Sequence, residues 1–415
     1  MASPRRATEA AAPVRPRPPR TGSLPAVVST ATGAIRTIAP STVSGGYNVR
    51  FDPYPFDSRL RWLVRLLAAV PFLLLVALAD PRLWDGLSSP NAALIEHARS
   101  IAFTGSTVTW MESLYPPLPT IAAALLPWGT TGLAVVGALA AGAFTQRIIE
   151  VLHQHRAGAL LGTLFTLALV ANPLFAYTAT QNLPAFLSIM FFGIGLNDTV
   201  RFITWRNTQA GFRAGLYLML SALSDTSGLA FVAALVLAAP LFTLGRRGER
   251  GVRTANSVVL GFPTVAVLAT VLFLQLAFLH RWPAGDSFGY SADALQGLVD
   301  TTHDLRWLGL LAPLLCLYAL SLLVRRPGAM LVGSLLFALV MAGFVFGLVP
   351  TGSAGNSFII LTLVMIAILP AARTRRMTTG IAIVAAVTVL VPWLAALTRT
   401  SVMEWTGTLF TALPW

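Results

Sequence analysis

Residues Asn91–Pro119 read NAALIEHARSIAFTGSTVTWMESLYPPLP. This polar stretch stands between two apolar runs, Trp62–Ala79 and Thr131–Val151. Each is as long as a helix that crosses a bilayer, about 17–25 residues. Similar runs recur to the C-terminus. Of the 415 residues 55% are hydrophobic and 11% charged, with a mean hydropathy of +0.72. A water-soluble domain carries roughly 25% charged residues, so this chain is too apolar for one water-soluble core. The runs are continuous rather than short and alternating. They predict an all-α, polytopic membrane bundle and exclude a barrel.

Eleven spans are predicted: about 62–79, 131–151, 157–171, 183–203, 214–223, 228–244, 255–279, 307–324, 329–349, 358–371 and 379–397. The fifth is short and is expected to form a hairpin with the sixth. Arginine placement sets the orientation, because cytoplasmic loops carry the basic excess. Arg59, Arg61 and Arg65 flank the first span; Arg147 and Arg156 follow the second. Arg201, Arg206 and Arg213 follow the fourth, Arg246, Arg247, Arg250 and Arg253 the sixth, Arg325 and Arg326 the eighth, and Arg373, Arg375 and Arg376 the tenth. All fall on one side if the N-terminus is cytoplasmic. The C-terminal segment, with Trp405 and Trp415 at the interface, is then outside. The localisation expected is a multi-pass protein of the cell membrane, with the lipid bilayer as its solvent.

All 29 basic residues are arginine, against 16 acids, giving a net charge of +13. The arginines mark cytoplasmic loops, and no folded basic face of a nucleic-acid binder is visible. Residues 1–50 are rich in Ala, Pro, Arg, Ser and Thr, and Glu9 is their only acid. Such a segment buries too little apolar surface to offset chain entropy and is expected to be a disordered cytoplasmic arm. It would either lie near anionic head groups or dock a cytosolic protein. Residues 51–415 then form the transmembrane domain, with long outer loops at about 80–116 and 280–306. Cys316, the single cysteine, sits in an apolar run and reads as a small core residue.

Within the first outer loop, Ser89-Pro90 is a helix start. Leu94, Ile95, Ala98, Ile101 and Ala102 follow on one apolar stripe. Asn91 falls near the middle of that stripe, while Glu96, Arg99 and Ser100 lie away from it. The stretch reads as an amphipathic helix on the outer leaflet, ended by Gly105. Tyr115-Pro116-Pro117-Leu118-Pro119 then leads into a short apolar helix, TIAAALLPW.

A first span, a long outer loop whose helix ends in Ala98-Arg99-Ser100, then Tyr115-Pro116-Pro117-Leu118 and short-loop spans, resembles the GT-C superfamily of membrane glycosyltransferases. The resemblance covers about residues 61–244, including Asn172-Pro173 and the hairpin of the fifth and sixth spans. It implies a polyprenyl-phosphate sugar donor and an acid in the first outer loop, acting as general base or as a charge partner for the acceptor. No cofactor is expected. Related loops carry Asp, or Asp-Glu, eight or nine residues before the arginine matching Arg99. This chain has Pro90 and Asn91 there. An amide cannot take the acceptor's proton, and a positioned base contributes roughly 10²–10⁴ in rate. Asp85 and Glu96 are the candidate catalytic replacements; Asp80 and Glu112 share the loop.

Candidate substrate-binding residues are Asn91, Tyr115, Gln181, Asn182, Asp225, His280 and Arg281. Gln181 and Asn182 begin the fourth span on the outside and either meet sugar or phosphate or cap a helix. Asp225, in Ser224-Asp225-Thr226-Ser227, is either a functional carboxylate at membrane depth or the cap of the sixth span. His280 and Arg281 would meet a phosphate. Asp198 and Arg201 read as a local helix pair. Asp286, Asp293, Asp300 and Asp304 make the second outer loop acidic without the spacing of a calcium loop, and no metal site is expected. Two functions follow. One is sugar transfer from a polyprenyl-phosphate donor on the outer face. The other is a non-catalytic scaffold of the same architecture that recruits a cytosolic partner through residues 1–50.

Overall fold

The computed structural model describes residues 53–79, 89–101, 110–243, 250–280, 289–303, 306–350, 353, 356–370, 374–396 and 400–412, all within one compact unit, Asp52–Trp415. The predicted arm, residues 1–50, lies outside the described residues.

Helix α1 (Ser58–Leu78) starts at Asp57, whose carboxylate accepts from the Arg59 amide at 2.9 Å. The first turn of a helix leaves amides unpaired, and a capping carboxylate takes one of them. Short elements α2 (Pro90–Ser100), α3 (Trp110–Ser113) and α4 (Pro117–Leu125) follow, then the long α5 (Gly129–Gln154). Next come α6 (Ala159–Val170) and α7 (Pro173–Gln181), bent by 51° at Asn172-Pro173. Asn172 caps α7 by accepting from the Leu174 and Phe175 amides. The pyrrolidine of Pro173 suits a first helical turn but not a helix interior, so one run becomes two helices.

Helix α8 (Leu183–Trp205) leads to α9 (Thr208–Ser224) and α10 (Thr226–Ala238), which a 3₁₀ turn, Ala239–Thr243, extends. Then follow α11 (Arg250–Leu279), α12 (Ala292–His303), α13 (Arg306–Leu323), α14 (Pro327–Val345), α15 (Asn356–Ala367), α16 (Arg375–Ala396) and α17 (Thr400–Ala412). The described residues contain no strand; the fold is all-α. Six of these helices are long and apolar enough to cross a membrane, seven if the α6–α7 pair is one span.

Burial separates the centre from the periphery. Every residue of α15 is buried, and 78% of the apolar window of α8 is. For α1 and α11 the shares are only 17% and 11%. A helix apolar on all sides belongs inside a bundle or against lipid, and this chain has both kinds. Close approach rests on small residues. A Cβ at Gly137 would stand 1.9 Å from the Ala179 carbonyl oxygen, and one at Gly142 would stand 2.4 Å from that of Arg65. Glycines there let α7 and α1 pack directly on α5, as small residues do between membrane helices.

Two expectations change. The fifth predicted span, 214–223, is the C-terminal part of α9, whose 17 residues begin at Thr208. The C-terminal segment forms helix α17 over Thr400–Ala412. Trp405 is not at an interface but buried, with its ring edge-on to Tyr177 at 5.8 Å. An apolar ring of that size gains more from a packed pocket than from a half-wet surface.

Candidate functional site

The polar stretch that follows α1 folds back onto the bundle at two points. The first is α2. Its apolar stripe is buried at Asn91, Leu94, Ile95 and Ala98, and Leu94, Ile95 and Ala98 pack with Ala123 of α4, Leu133 of α5 and Leu183 of α8. Glu96, Arg99 and Ser100 are exposed, as the helical count predicts. Asn91 is 1% exposed and spans the junction of α7 and α8. Its Nδ2 donates to the Thr180 carbonyl at 3.2 Å, and its Oδ1 accepts from the Leu183 amide at 2.9 Å. Both backbone groups belong to helix ends, where intrahelical partners run out. Only a side chain that both donates and accepts can serve the two, which an amide does and a carboxylate does not.

The second point is Tyr115. Its hydroxyl donates to the Ala222 carbonyl at 2.7 Å, at the end of α9. Asp225 forms the turn between α9 and α10, in extended backbone, and caps α10 by accepting from the Ser227 amide at 3.2 Å and from the Ser227 hydroxyl. Burial pushes the Asp225 carboxyl up to about 6. Burial first, and then the Asp225 carboxylate, raises the Tyr115 phenol. Beneath the turn, the Ser188 and Ser221 hydroxyls meet at 3.1 Å and join α8 to α9. The structure therefore brings together Asn91, Gln181 and Asn182 at one junction, and Tyr115 and Asp225 at another. Both lie where α2 and α4 cover the bundle.

Several buried polar atoms at this end have no partner among the described residues: Thr120 Oγ1, Gln181 Nε2, Trp405 Nε1, Ser353 Oγ and both amide atoms of Asn356. Thr120 is on α4, which packs on α8 and α9. Trp405 rests against Tyr177, one turn from Gln181. Asn356 begins α15, which packs on α7 and α8. Leu363 of α15 lies against Gly193, and Ile366 and Ala367 share a cavity with Ile194 and Asn197. The two helices thus run in the same direction. Asn356, a little under two turns before Leu363, is about 10 Å nearer the end at which α8 begins. Buried polar groups are nearly always paired, and an unpaired one costs about 1–3 kcal/mol. Several such groups lie toward the end of the bundle at which α8 begins.

The remaining candidates are placed elsewhere. Asp80, Asp85 and Arg281 lie outside the described residues, as do Asp286 and Asp304. Glu96 faces away from the bundle. His280 is exposed just beyond α11, at a φ of 52°. Asn182 caps α8 by accepting from the Ala185 amide at 3.2 Å. Sequence reading missed Thr120, Asn356 and Trp405. Thr120 and Asn356 each stand at the polar edge of an apolar run, which marks a helix start and not a site; nothing marks Trp405, whose burial depends on α17. Among the described residues no group of three or more His, Cys, Asp or Glu is placed to hold a metal ion.

No protein-family model matches the chain, and neither a curated protein nor a solved structure does.

Proposed function

We propose that the chain is a multi-pass membrane protein of GT-C-like architecture whose outer end takes the head of a polyprenyl-phosphate sugar. The eleven predicted spans each coincide with a helix, although only some of these meet the length of a full crossing. The orientation has the arginine-rich end in the cytoplasm and α2, α4 and the α9–α10 turn outside. The observation that carries the reading is the set of unpartnered buried groups around α4, α7, α15 and α17. Most are donors: the amides of Gln181 and Asn356, the Trp405 indole N–H and the Thr120 hydroxyl. Phosphate and sugar oxygens are the acceptors such groups fit.

Asp225 takes the base role that Asp85 and Glu96 were expected to hold. It is ionised at neutral pH and sits beside Tyr115. It would accept the acceptor hydroxyl's proton as that oxygen attacks the anomeric carbon and the polyprenyl phosphate leaves. The test is transfer of radiolabelled sugar from a polyprenyl-phosphate donor by membranes containing wild type or Asp225→Asn at equal abundance. Transfer by wild type and its loss in the variant support the reading. Equal transfer by both removes Asp225 from it.

A second reading is favoured by Asn91. The residue at the expected acid position is fully engaged in holding the outer segment, which suits a scaffold that performs no transfer. On that reading residues 1–50 recruit a cytosolic protein. Wild-type membranes would then transfer no sugar above membranes lacking the protein, and deleting residues 1–50 would remove function while the bundle stays folded.

A further inference from the structure

Helix α12 (Ala292–His303) takes no part in the proposed sugar site. It packs where the hairpin of α13 and α14 ends. Its start is tied to the end of α14, where the Ser291 amide donates to the Val345 carbonyl at 2.9 Å. Its last residue, His303, stands shortly before Arg306, the first of α13. Both ends of α12 are therefore level with one end of the hairpin. One arm of that hairpin, Pro327–Val345, is long and apolar enough to cross a membrane. The 12 residues of α12 extend about 18 Å, too little for a hydrocarbon core of about 30 Å. The helix thus runs along the boundary of the membrane rather than through it.

Three faces run along α12. Ala294, Leu298 and Thr301, at i, i+4 and i+7, are partly buried on the side that meets α13 and α14. Asp293, Gln296 and Asp300 form an exposed polar face, on which Gln296 donates to Asp300 at 2.9 Å. Between these faces, Leu295 and Val299, one turn apart, are each 41% exposed. At the start of the helix Tyr290 and Phe346 add an exposed aromatic pair, edge-on at 6.2 Å. We propose that α12 is an interfacial helix. Its Leu295–Val299 flank enters the acyl chains of the adjoining leaflet, the outer one on the proposed orientation, and Asp293 and Asp300 stay in water. A helix with one apolar and one charged flank settles at that depth, and tyrosine is enriched there. Interfacial helices that bind anionic lipid are rich in Lys and Arg, whereas α12 has neither and carries two acids. The fit is therefore to neutral head groups, through apolar area alone. A stable contact with a second copy would bury about 800 Å² on each partner, more than these four partly exposed side chains supply. The inference rests on α14 crossing a membrane and is independent of the sugar site.

The experiment uses the full chain in phosphatidylcholine vesicles. In a Cys316→Ala background, Leu295→Cys, Val299→Cys, Asp293→Cys and Asp300→Cys each take a spin label, one at a time. Collision with oxygen, which concentrates among acyl chains, is compared with collision with a water-soluble nickel chelate. The oxygen-to-nickel ratio is expected to be several-fold higher at Leu295→Cys and Val299→Cys than at Asp293→Cys and Asp300→Cys. Adding anionic phosphatidylglycerol should leave that difference unchanged. Wild type gives a readout that needs no variant: a diazirine in the acyl chain should label the Tyr290–Val299 stretch. Equal ratios at the four positions, with no label on that stretch, would place the whole helix in water and overturn the inference. Spin–spin broadening at Leu295→Cys would put a second copy on the flank and overturn it equally.

Discussion

The Leu183 amide donates to Asn91 Oδ1 at 2.9 Å, and this bond fixes the helix after the first span onto the bundle. The same side chain donates to Thr180 on the other side of the junction. Asp at position 91 would keep the bond to Leu183 and set a carboxylate against the Thr180 carbonyl. Asn91→Asp should therefore lower stability by about 1–3 kcal/mol, measured by thermal unfolding of the purified protein. An unchanged midpoint would mean that α2 is held by its apolar stripe alone.

Asp225 holds its proton in the folded chain up to about pH 6, whereas an unfolded aspartate loses it near about 3.9. The folded chain binds more protons between those values. Its stability falls as pH rises across that window, and the penalty is fully present above it. Asn is as good a helix cap as Asp. Asp225→Asn should therefore unfold at a higher temperature than wild type at pH 7 and at the same temperature near pH 4. A difference that does not vary with pH would show that the carboxyl is not held in a costly environment.

Asn356 presents a buried donor and a buried acceptor with no partner among the described residues. Leucine is of similar size and has no polar group to satisfy. Asn356→Leu should raise the unfolding midpoint of the free protein while removing any affinity for a lipid-linked sugar, since stability and site chemistry oppose each other at such positions. A lower midpoint would mean that the amide is satisfied in the folded protein.

Asp198 compensates two guanidiniums at a fully buried position. Removing one partner of a buried ion pair leaves the other charge stranded, at a cost of about 3–5 kcal/mol. Asp198→Ala should lose that much stability, and far more than the exposed Asp293→Ala. Equal effects would show that these charges are hydrated.

The sequence made the helices legible because apolar runs of spanning length have few alternative structures in lipid. Asn91 on the buried face and Glu96 on the exposed face also followed from helical geometry alone. The bend at Asn172-Pro173 was legible as an end but not as an angle, since the direction of α7 depends on its approach to Gly137. Trp405 could not be placed without α17, and Asn356 gave no sign that its amide would lack a partner. The Arg213–Asp198 pair joins residues on different helices, which no local spacing predicts. What sequence captured was periodicity and length; what it missed was which polar groups meet, or fail to meet, across helices.

The most direct measurement is native mass spectrometry of the full-length protein extracted from its own membranes, wild type against Asn356→Leu and Gln181→Leu. Wild type should carry a polyprenyl-phosphate sugar, and both variants should have lost it while remaining folded. Wild type without such a lipid, or variants that carry it equally, would contradict the proposal that the outer end is its site.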